Sequence, residues 1–362
     1  MRHPFKNRYI NLQPATCNLQ LKLKTSLSLK FRSFHSSKPY LYKNTKELRM
    51  NPFSIAIHGG AGTLLKGQMT PEKEENYRKT LENALSAGFE ALNSGKSATD
   101  VVSLAVQILE DSPLFNAGKG SVFTAEGTHE MDAAIMEGKD LQAGAVSLVS
   151  GIKNPILLAR DVMEKSEHVF LAGTGAMNFA KSLGYTLEEA AYFYDELRYQ
   201  QWQELKGTTH FQLDHSKSKE TKESKFGTVG AVACDKYGNL AAATSTGGMT
   251  NKNWGRIGDT SIIGAGNYAN NATCAVSCTG SGEFFIRGVA AYDVSCLMEY
   301  KGLSLAEAAA EVVHKRLMNI GGDGGLIAVD TQGNVALPFN TEGMYRGLRT
   351  STGKSIIAIY GD

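Results

Sequence analysis

A polar stretch gives way to small apolar residues at Gly227-Thr228-Val229-Gly230-Ala231-Val232. A threonine hydroxyl is a weak nucleophile until a base takes its proton. Hydrolysis of the peptide bond before Thr228 would give that residue an α-amine, whose ordinary pKa of about 7.7–8.0 lies near neutrality. The amine could then act as base to the residue's own Oγ, with no His–Asp pair required. Gly227 suits such a cut, because a residue without Cβ leaves its carbonyl open and tolerates unusual φ/ψ. The plainer alternative is a threonine that simply opens a strand, where threonine is common.

Further groups with the right chemistry follow within about fifty residues. Thr244-Ser245-Thr246-Gly247-Gly248 places hydroxyls at the end of the next apolar run. Arg256 and Asp259 stand three apart in Gly255-Arg256-Ile257-Gly258-Asp259. An arginine fork can hold a carboxylate and an aspartate an ammonium, so the pair matches the zwitterionic head of an amino acid. As a bare pair they equally describe a surface salt bridge. In Ser277-Cys278-Thr279-Gly280-Ser281-Gly282-Glu283 a hydroxyl precedes an exposed backbone N–H, suitable donors for an oxyanion; a plain glycine turn is the alternative. Gly173-x-Gly175, Gly264-x-Gly266 and Gly280-x-Gly282 lack a third glycine at dinucleotide spacing, and no G-x-x-x-x-G-K-[ST] occurs. The five cysteines form no C-x-x-C pair, there is no H-E-x-x-H, and His58 and His129 are far apart, so zinc is not expected.

These residues must be positioned by strands and helices. Ser54 to His58 reads as a buried strand ended by a Gly59-Gly60-Ala61-Gly62 turn. A helical period runs from Thr70-Pro71-Glu72 to Ala91, with Thr70 as N-cap, and a second helix opens at Ser97 and stops at Asp111-Ser112-Pro113. His168 to Ala172 reads as a short buried strand. Thr228 to Cys234 and Leu240 to Thr244 read as a hairpin around Lys236 to Asn239, with small side chains that imply cover on both faces. Leu326 to Val329 faces Val335 to Leu337, Ser355 to Tyr360 adds a last strand, and Gly288–Tyr300 and Leu305–Leu317 have helical periodicity. Such an order points to an α+β fold with sheets packed together and helices outside.

Composition sets the frame. Of 38 Lys and Arg and 36 Asp and Glu in 362 residues, the first fifty hold 11 basic residues and one acid, Glu47, leaving 27 basic against 35 acidic. An acidic body argues against a nucleic-acid partner. No apolar run reaches the roughly 18 residues of a membrane span. Residues 1–49 have the Lys-, Arg- and Ser-rich composition of a mitochondrial transit segment, but their leucines alternate at a period of two; a start at Met50, giving a cytoplasmic form, is the alternative. Residues 206–226 are polar, with Lys217, Lys219, Lys222 and Lys225 among Ser, Thr and Glu, and read as a flexible linker, a place where chains are cut.

The ordered motifs of residues 53–362 resemble the plant-type asparaginases, also called isoaspartyl (β-aspartyl) peptidases. They are His58-Gly59-Gly60-Ala61-Gly62, Phe115-Asn116-Ala117-Gly118, His129-Glu130-Met131-Asp132-Ala133, Gly227-Thr228-Val229-Gly230, Ser245-Thr246-Gly247-Gly248, Gly255-Arg256-Ile257-Gly258-Asp259, Gly264-Ala265-Gly266, Cys278-Thr279-Gly280 and Pro338-Phe339-Asn340-Thr341-Glu342-Gly343-Met344. The resemblance implies a four-layer αββα sandwich of the N-terminal nucleophile hydrolase type, a single domain over 50–362. It would be cut between Gly227 and Thr228 into an α chain (50–227) and a β chain (228–362), paired as a dimer of αβ units. It further implies Thr228 as nucleophile, Thr246 orienting it, and Thr279 with the Gly280 N–H as oxyanion hole. Arg256 would take the substrate α-carboxylate, Asp259 with a Gly280 or Gly282 carbonyl the α-ammonium, and Asn116 would lie near the nucleophile. No catalytic cofactor is implied, only a structural sodium ion on main-chain oxygens of Leu109, Glu110, Ser112, Phe115, Ala117 and Lys119. Ser112 and Lys119 depart from the family's commonest residues, which carbonyl ligation tolerates. The expected substrates are asparagine and β-aspartyl dipeptides. A glycosylasparaginase, a taspase-like endopeptidase and an uncut scaffold are the competing readings.

Overall fold

A computed structural model describes residues 51–208 and 227–361, apart from Thr63 and Gln68. The leader 1–49 and residues 209–226 of the expected linker lie outside the described residues.

Strand β1 (Ser54–Gly62) leads into helix α1 (Pro71–Asn93), where the Thr70 side chain accepts from the Lys73 amide and Pro71 sits in the first turn, as the sequence indicates. Helix α2 (Ala98–Glu110) starts with Ser97 accepting from the Asp100 amide. After the 109–120 loop come β2 (Met131–Glu137), β3 (Ala143–Val149), α3 (Pro155–Lys165), β4 (Phe170–Ala172), α4 (Gly173–Ser182), α5 (Ala190–Phe193) and α6 (Glu196–Leu205). Past the undescribed segment the chain forms β5 (Val229–Cys234), β6 (Leu240–Thr246), β7 (Asn267–Ala269) and β8 (Cys274–Gly280). It ends with α7 (Gly282–Gly288), α8 (Ala290–Lys301), α9 (Leu305–Glu311), β9 (Gly324–Asp330), β10 (Val335–Ala336), β11 (Gly343–Thr350) and β12 (Ser355–Tyr360).

The large sheet runs β12-β11-β1-β5-β6-β2-β3-β4 and the small one β10-β9-β8-β7. One face of the large sheet buries Ile55, Ile57, Val229, Ala231 and Ile135 against α1, α2 and α3 through Leu81, Leu85, Val102 and Leu109. Alternate residues of the same strands, Ala56, Val232, Leu240 and Ala242, meet Ala275, Ile327 and Val329 of the small sheet. The small sheet's other face buries Cys274, Val276, Cys278 and Ala328 against α8 and α9. Apolar groups on both faces of β5 and β6 account for the small, mostly apolar and fully buried residues along them.

Three expectations are corrected. Gly59 to Gly62 is not a turn: β1 continues through it, with a register shift between His58 and Gly60, because Gly60 takes φ +117° and lets the strand bulge rather than stop. The strand at 168–172 is not buried: Val169 and Phe170 are exposed, since β4 lies at the sheet edge beside β3 alone. The helix read over Gly288–Tyr300 is broken at Val289, which adopts φ +48° between α7 and α8. The end of the second periodic stretch, Val312–Leu317, widens to π-type turns. At the linker's start, the Lys206 amide still bonds Trp202 O and closes α6.

Candidate active site

Thr228 stands one residue before β5 and is buried. Val229 pairs with Ser245 on β6, so Thr228 falls beside Thr246, whose other ladder neighbour is Asp132 on β2. The Thr246 hydroxyl accepts from the Gly248 amide at 3.0 Å, which leaves its own proton to donate. On the far side, β1 presses against the segment before Thr228. A Cβ on Gly60 would lie 2.5 Å from the Gly227 nitrogen. A small cleft opens here, lined by Gly227, Thr228, Thr246, Gly248, Met249, Arg256, Gly258, Asp259, Thr260 and Gly280. Six residues singled out from the sequence thus share one cleft.

The Arg256–Asp259 part of the cleft is built by glycines. A side chain on Gly258 would meet Arg256 Nη1 at 2.9 Å, one on Gly266 would meet Asp259 Oδ2 at 2.8 Å, and one on Gly282 would meet Asp259 Oδ1 at 2.8 Å. Gly282 therefore sits against the charged pair even though it does not line the opening. Arg256 is held from outside by Glu283, whose Oε1 accepts from Nε at 2.9 Å and lies 2.8 Å from Nη2. A single oxygen takes that edge, and Nη1 lies beside Gly258, which lines the cleft. Asp259 is buried, its Oδ2 has no hydrogen-bond partner, and desolvation pushes its pKa up to about 7 against the opposing pull of Arg256.

Thr279 and Gly280 end β8. Thr279 Oγ1 is buried with no partner, and Gly280 adopts φ +151°. A buried hydroxyl without a partner costs about 1–3 kcal/mol, so it is a group waiting for an acceptor. Asn116 does not line the cleft. Its Nδ2 donates to Gly248 O at 2.7 Å, its Oδ1 accepts from the Val122 amide at 3.1 Å and its carbonyl accepts from the Gly247 amide, so it braces the Gly247-Gly248 wall from behind. The 109–120 loop folds back on α2: Gly118 lies against the Glu110 carbonyl, and Gly120 against the carbonyls of Phe115 and Pro113. Leu109, Glu110, Phe115 and Ala117 are buried, Ser112 is partly exposed, and Lys119 Nζ lies over the Tyr192 ring. The Glu110 side chain is not part of that carbonyl array. Burial raises its pKa to about 8, and Oε1 takes hydrogen bonds from Ser245 Oγ and the Ile156 amide.

Sequence reasoning missed two contributors. Glu283 was visible in the Gly280-Ser281-Gly282-Glu283 run, but nothing local links it to Arg256. His58, read from sequence as a strand end beside a glycine motif and set aside as a zinc ligand, bonds the Thr228 carbonyl through Nδ1 at 3.0 Å. No helix among the described residues is long and apolar enough to cross a membrane.

The mixed α+β fold and this small polar cleft belong to a hydrolase. The chain is a member of the asparaginase family, whose model matches residues 50–359. It is 56% identical over 297 residues to an isoaspartyl peptidase of Salmonella typhimurium, covering 82% of this chain and 95% of the relative. It is 44% identical over 298 residues to a plant-type L-asparaginase of Pyrococcus abyssi, covering 80% and 94%. It is 41% identical over 290 residues to an isoaspartyl peptidase/L-asparaginase of Xenopus laevis, covering 80% and 90%.

Proposed function

We propose that the protein hydrolyses L-asparagine and β-aspartyl dipeptides through Thr228, after hydrolysis of the Gly227–Thr228 peptide bond. The observation that carries this reading is the single cleft lined by Gly227, Thr228 and Thr246 together with Arg256 and Asp259. The names of the relatives support the substrate class.

In this reading Arg256 binds the substrate α-carboxylate and Asp259 the α-ammonium, helped by a carbonyl of Gly280 or Gly282, and the β-amide carbon comes to rest at Thr228 Oγ. The freed α-amine of Thr228 takes the Oγ proton as Oγ attacks, with Thr246 donating to hold the hydroxyl in line. The oxyanion meets Thr279 Oγ–H and the Gly280 N–H. Collapse expels ammonia or the amine of the second residue, which takes the proton back. Water then hydrolyses the aspartyl ester and restores Thr228. An α-linked aspartyl peptide ties up the carboxylate meant for Arg256 and leaves the cleft side of the guanidinium without its substrate partner, the kind of polar mismatch by which sites built on hydrogen bonding discriminate strongly.

The three buried clusters, two between helices and sheet and one between sheets, support the αββα sandwich as the finer architecture. A structural sodium ion on main-chain oxygens of the 109–120 loop is proposed to stiffen it behind Asn116; Gly118 and Gly120 let that loop fold close on the Glu110 and Phe115 carbonyls. Cut αβ units are proposed to pair as dimers. Segment 1–49 is proposed as a mitochondrial leader, a start at Met50 giving the cytoplasmic form.

Intact mass of purified protein and assay of asparagine, β-aspartyl-leucine and α-aspartyl-leucine test the reading. Expected are a fragment beginning Thr-Val-Gly, turnover of the first two substrates only, and an uncut, inactive Thr228→Ala protein. Turnover by Thr228→Ala, or equal rates on the two aspartyl-leucines, would refute it.

A further inference from the structure

Four fully buried polar side chains form a line of hydrogen bonds that ends on the Thr228 carbonyl. His58 Nδ1 lies 3.0 Å from that oxygen and His58 Nε2 lies 2.8 Å from Ser277 Oγ. Ser277 Oγ is 2.7 Å from Thr244 Oγ1, which accepts from Asn267 Nδ2 at 2.9 Å. A carbonyl can only accept, so Nδ1 carries the imidazole proton. Burial holds the ring neutral, with its pKa pushed down to about 3, so Nε2 keeps a lone pair and accepts from the Ser277 hydroxyl. Ser277 must then accept from Thr244, and Thr244 from Asn267. Every proton in the line points toward Thr228.

The line fills a gap in the sheet. Pairing of β1 with β5 ends at His58 and Gly230, just where the β1 bulge begins. The carbonyl of Thr228 lies beyond the last ladder pair, and a buried carbonyl left without a donor is costly. The His58 side chain supplies the donor that the bulged backbone does not. Gly230 is part of the device, because a Cβ there would collide with Ser277 Oγ and His58 Nε2.

We propose that His58 is a positioning residue, whose Nδ1–H anchors the carbonyl of Thr228 and so fixes the nucleophile once that residue has become a chain terminus. The inference rests on the reading of Thr228 as nucleophile. A terminal residue loses its covalent tether on one side, and misplacement of a reacting atom by about 1 Å can cost about a hundredfold in rate. The anchor restrains the residue from the side that remains attached.

Two substitutions separate anchoring from packing. In His58→Asn the amide nitrogen falls near the position of Nδ1 and can still donate to the carbonyl. In His58→Gln it falls near Nε2, so the variant keeps more volume and the Ser277 contact but loses the donor. With kcat measured on β-aspartyl-leucine and normalised to the cut fraction by intact mass, His58→Gln is expected to lose about ten- to a hundredfold in kcat. KM should stay within about threefold, and His58→Asn should keep kcat within about threefold of the unsubstituted protein. A packing role gives the opposite order, since Gln is nearer His in size; that order, or equal kcat in all three, overturns the proposal. A readout on the unsubstituted protein needs no variant to mature. In the ¹⁵N spectrum the histidine assigned through its own backbone to His58 should be in the Nδ1-protonated tautomer and stay neutral down to about pH 5. The assignment tells it apart from His129, whose Nδ1 also lies 3.0 Å from a carbonyl, that of Ser121. Another tautomer or charge state of His58 overturns the proposal as well. If the unsubstituted protein is uncut, or Thr228→Ala is active, the nucleophile reading fails and takes this inference with it; if both hold and His58→Gln keeps its kcat, only the anchor fails.

Discussion

At the scale of single residues, Asp259 joins a structural cost to a proposed binding function. Its carboxyl is buried, has an oxygen without a partner and is raised to about 7, so in the empty cleft it takes up a proton near neutrality. An ammonium can be held only by the ionised form. As pH falls through about 7 the charge is lost, and the KM for β-aspartyl-leucine should rise, by up to about tenfold per unit, between about pH 7 and about pH 5. The sign is opposite for stability: a carboxyl raised by burial favours the fold below its unfolded value and loses that contribution as pH rises through about 7. KM measured across this range, apart from kcat, checks the assignment; a flat KM with Asp259 in place would remove Asp259 from the ammonium site. Arg256 and Asp259 were legible in sequence because their spacing matches an amino-acid head. Glu283 was not, because its pairing with Arg256 spans 27 residues and depends on how β8 ends against the 250–260 loop.

Among elements, β1 and β5 matter most, and their ends were the least legible parts of the fold. The α1 helix could be read from its Thr70 cap and apolar period, and the β5–β6 hairpin from two short apolar runs around Lys236 to Asn239. Strands β2 and β3 and helices α4 to α6 carried no comparable signal. Their apolar positions are interrupted by Gly and polar residues that only the packed neighbours explain, as where Gly144 lies against the Ala159 carbonyl. The glycine run after His58 reads as a turn by local rules, whereas the tertiary fold uses it to continue β1 past the segment that precedes Thr228. That use gives a contrast between two glycines that both have positive φ. Gly60 at φ +117° has the Gly227 nitrogen 2.5 Å from where its Cβ would stand; Gly95 at φ +88° has nothing within 4 Å. Gly95→Ala should lose about 1 kcal/mol of stability or somewhat more and mature normally. Gly60→Ala should stop or greatly slow the proposed cut as well, because backbone strain is there compounded by collision with the segment before Thr228. Equal maturation of the two, followed by gel, would mean that β1 does not shape the cut.

For the whole molecule, the order of strands makes the two proposed fragments inseparable in the native state. Reading across the large sheet, β12 and β11 come from the β chain, β1 from the α chain, β5 and β6 from the β chain, and β2, β3 and β4 from the α chain. Strand β1 is thus hydrogen-bonded on both edges to the other fragment, to β11 and to β5, and β6 is joined to β2 over Asp132–Glu137. The clusters are equally mixed: Val229 and Ala231 pack under α1 and α2, and Ala56 packs with Val232 and Ile327. Neither fragment keeps a complete sheet, or both sides of a core, when the other is removed. Cutting one peptide bond therefore removes a chain connection but few of the contacts that hold the fold together. Native size exclusion of the cut protein should give a single peak containing both fragments, with separation only under denaturing conditions, and heating should give one cooperative transition rather than two. Fragments 50–227 and 228–362 expressed apart should be unfolded or aggregated, each exposing the apolar edge and face the other covers. Release of a folded 228–362 fragment from cut protein in native buffer would contradict this account, since β5 and β6 would then hold Thr228 without β1 and β2 beside them.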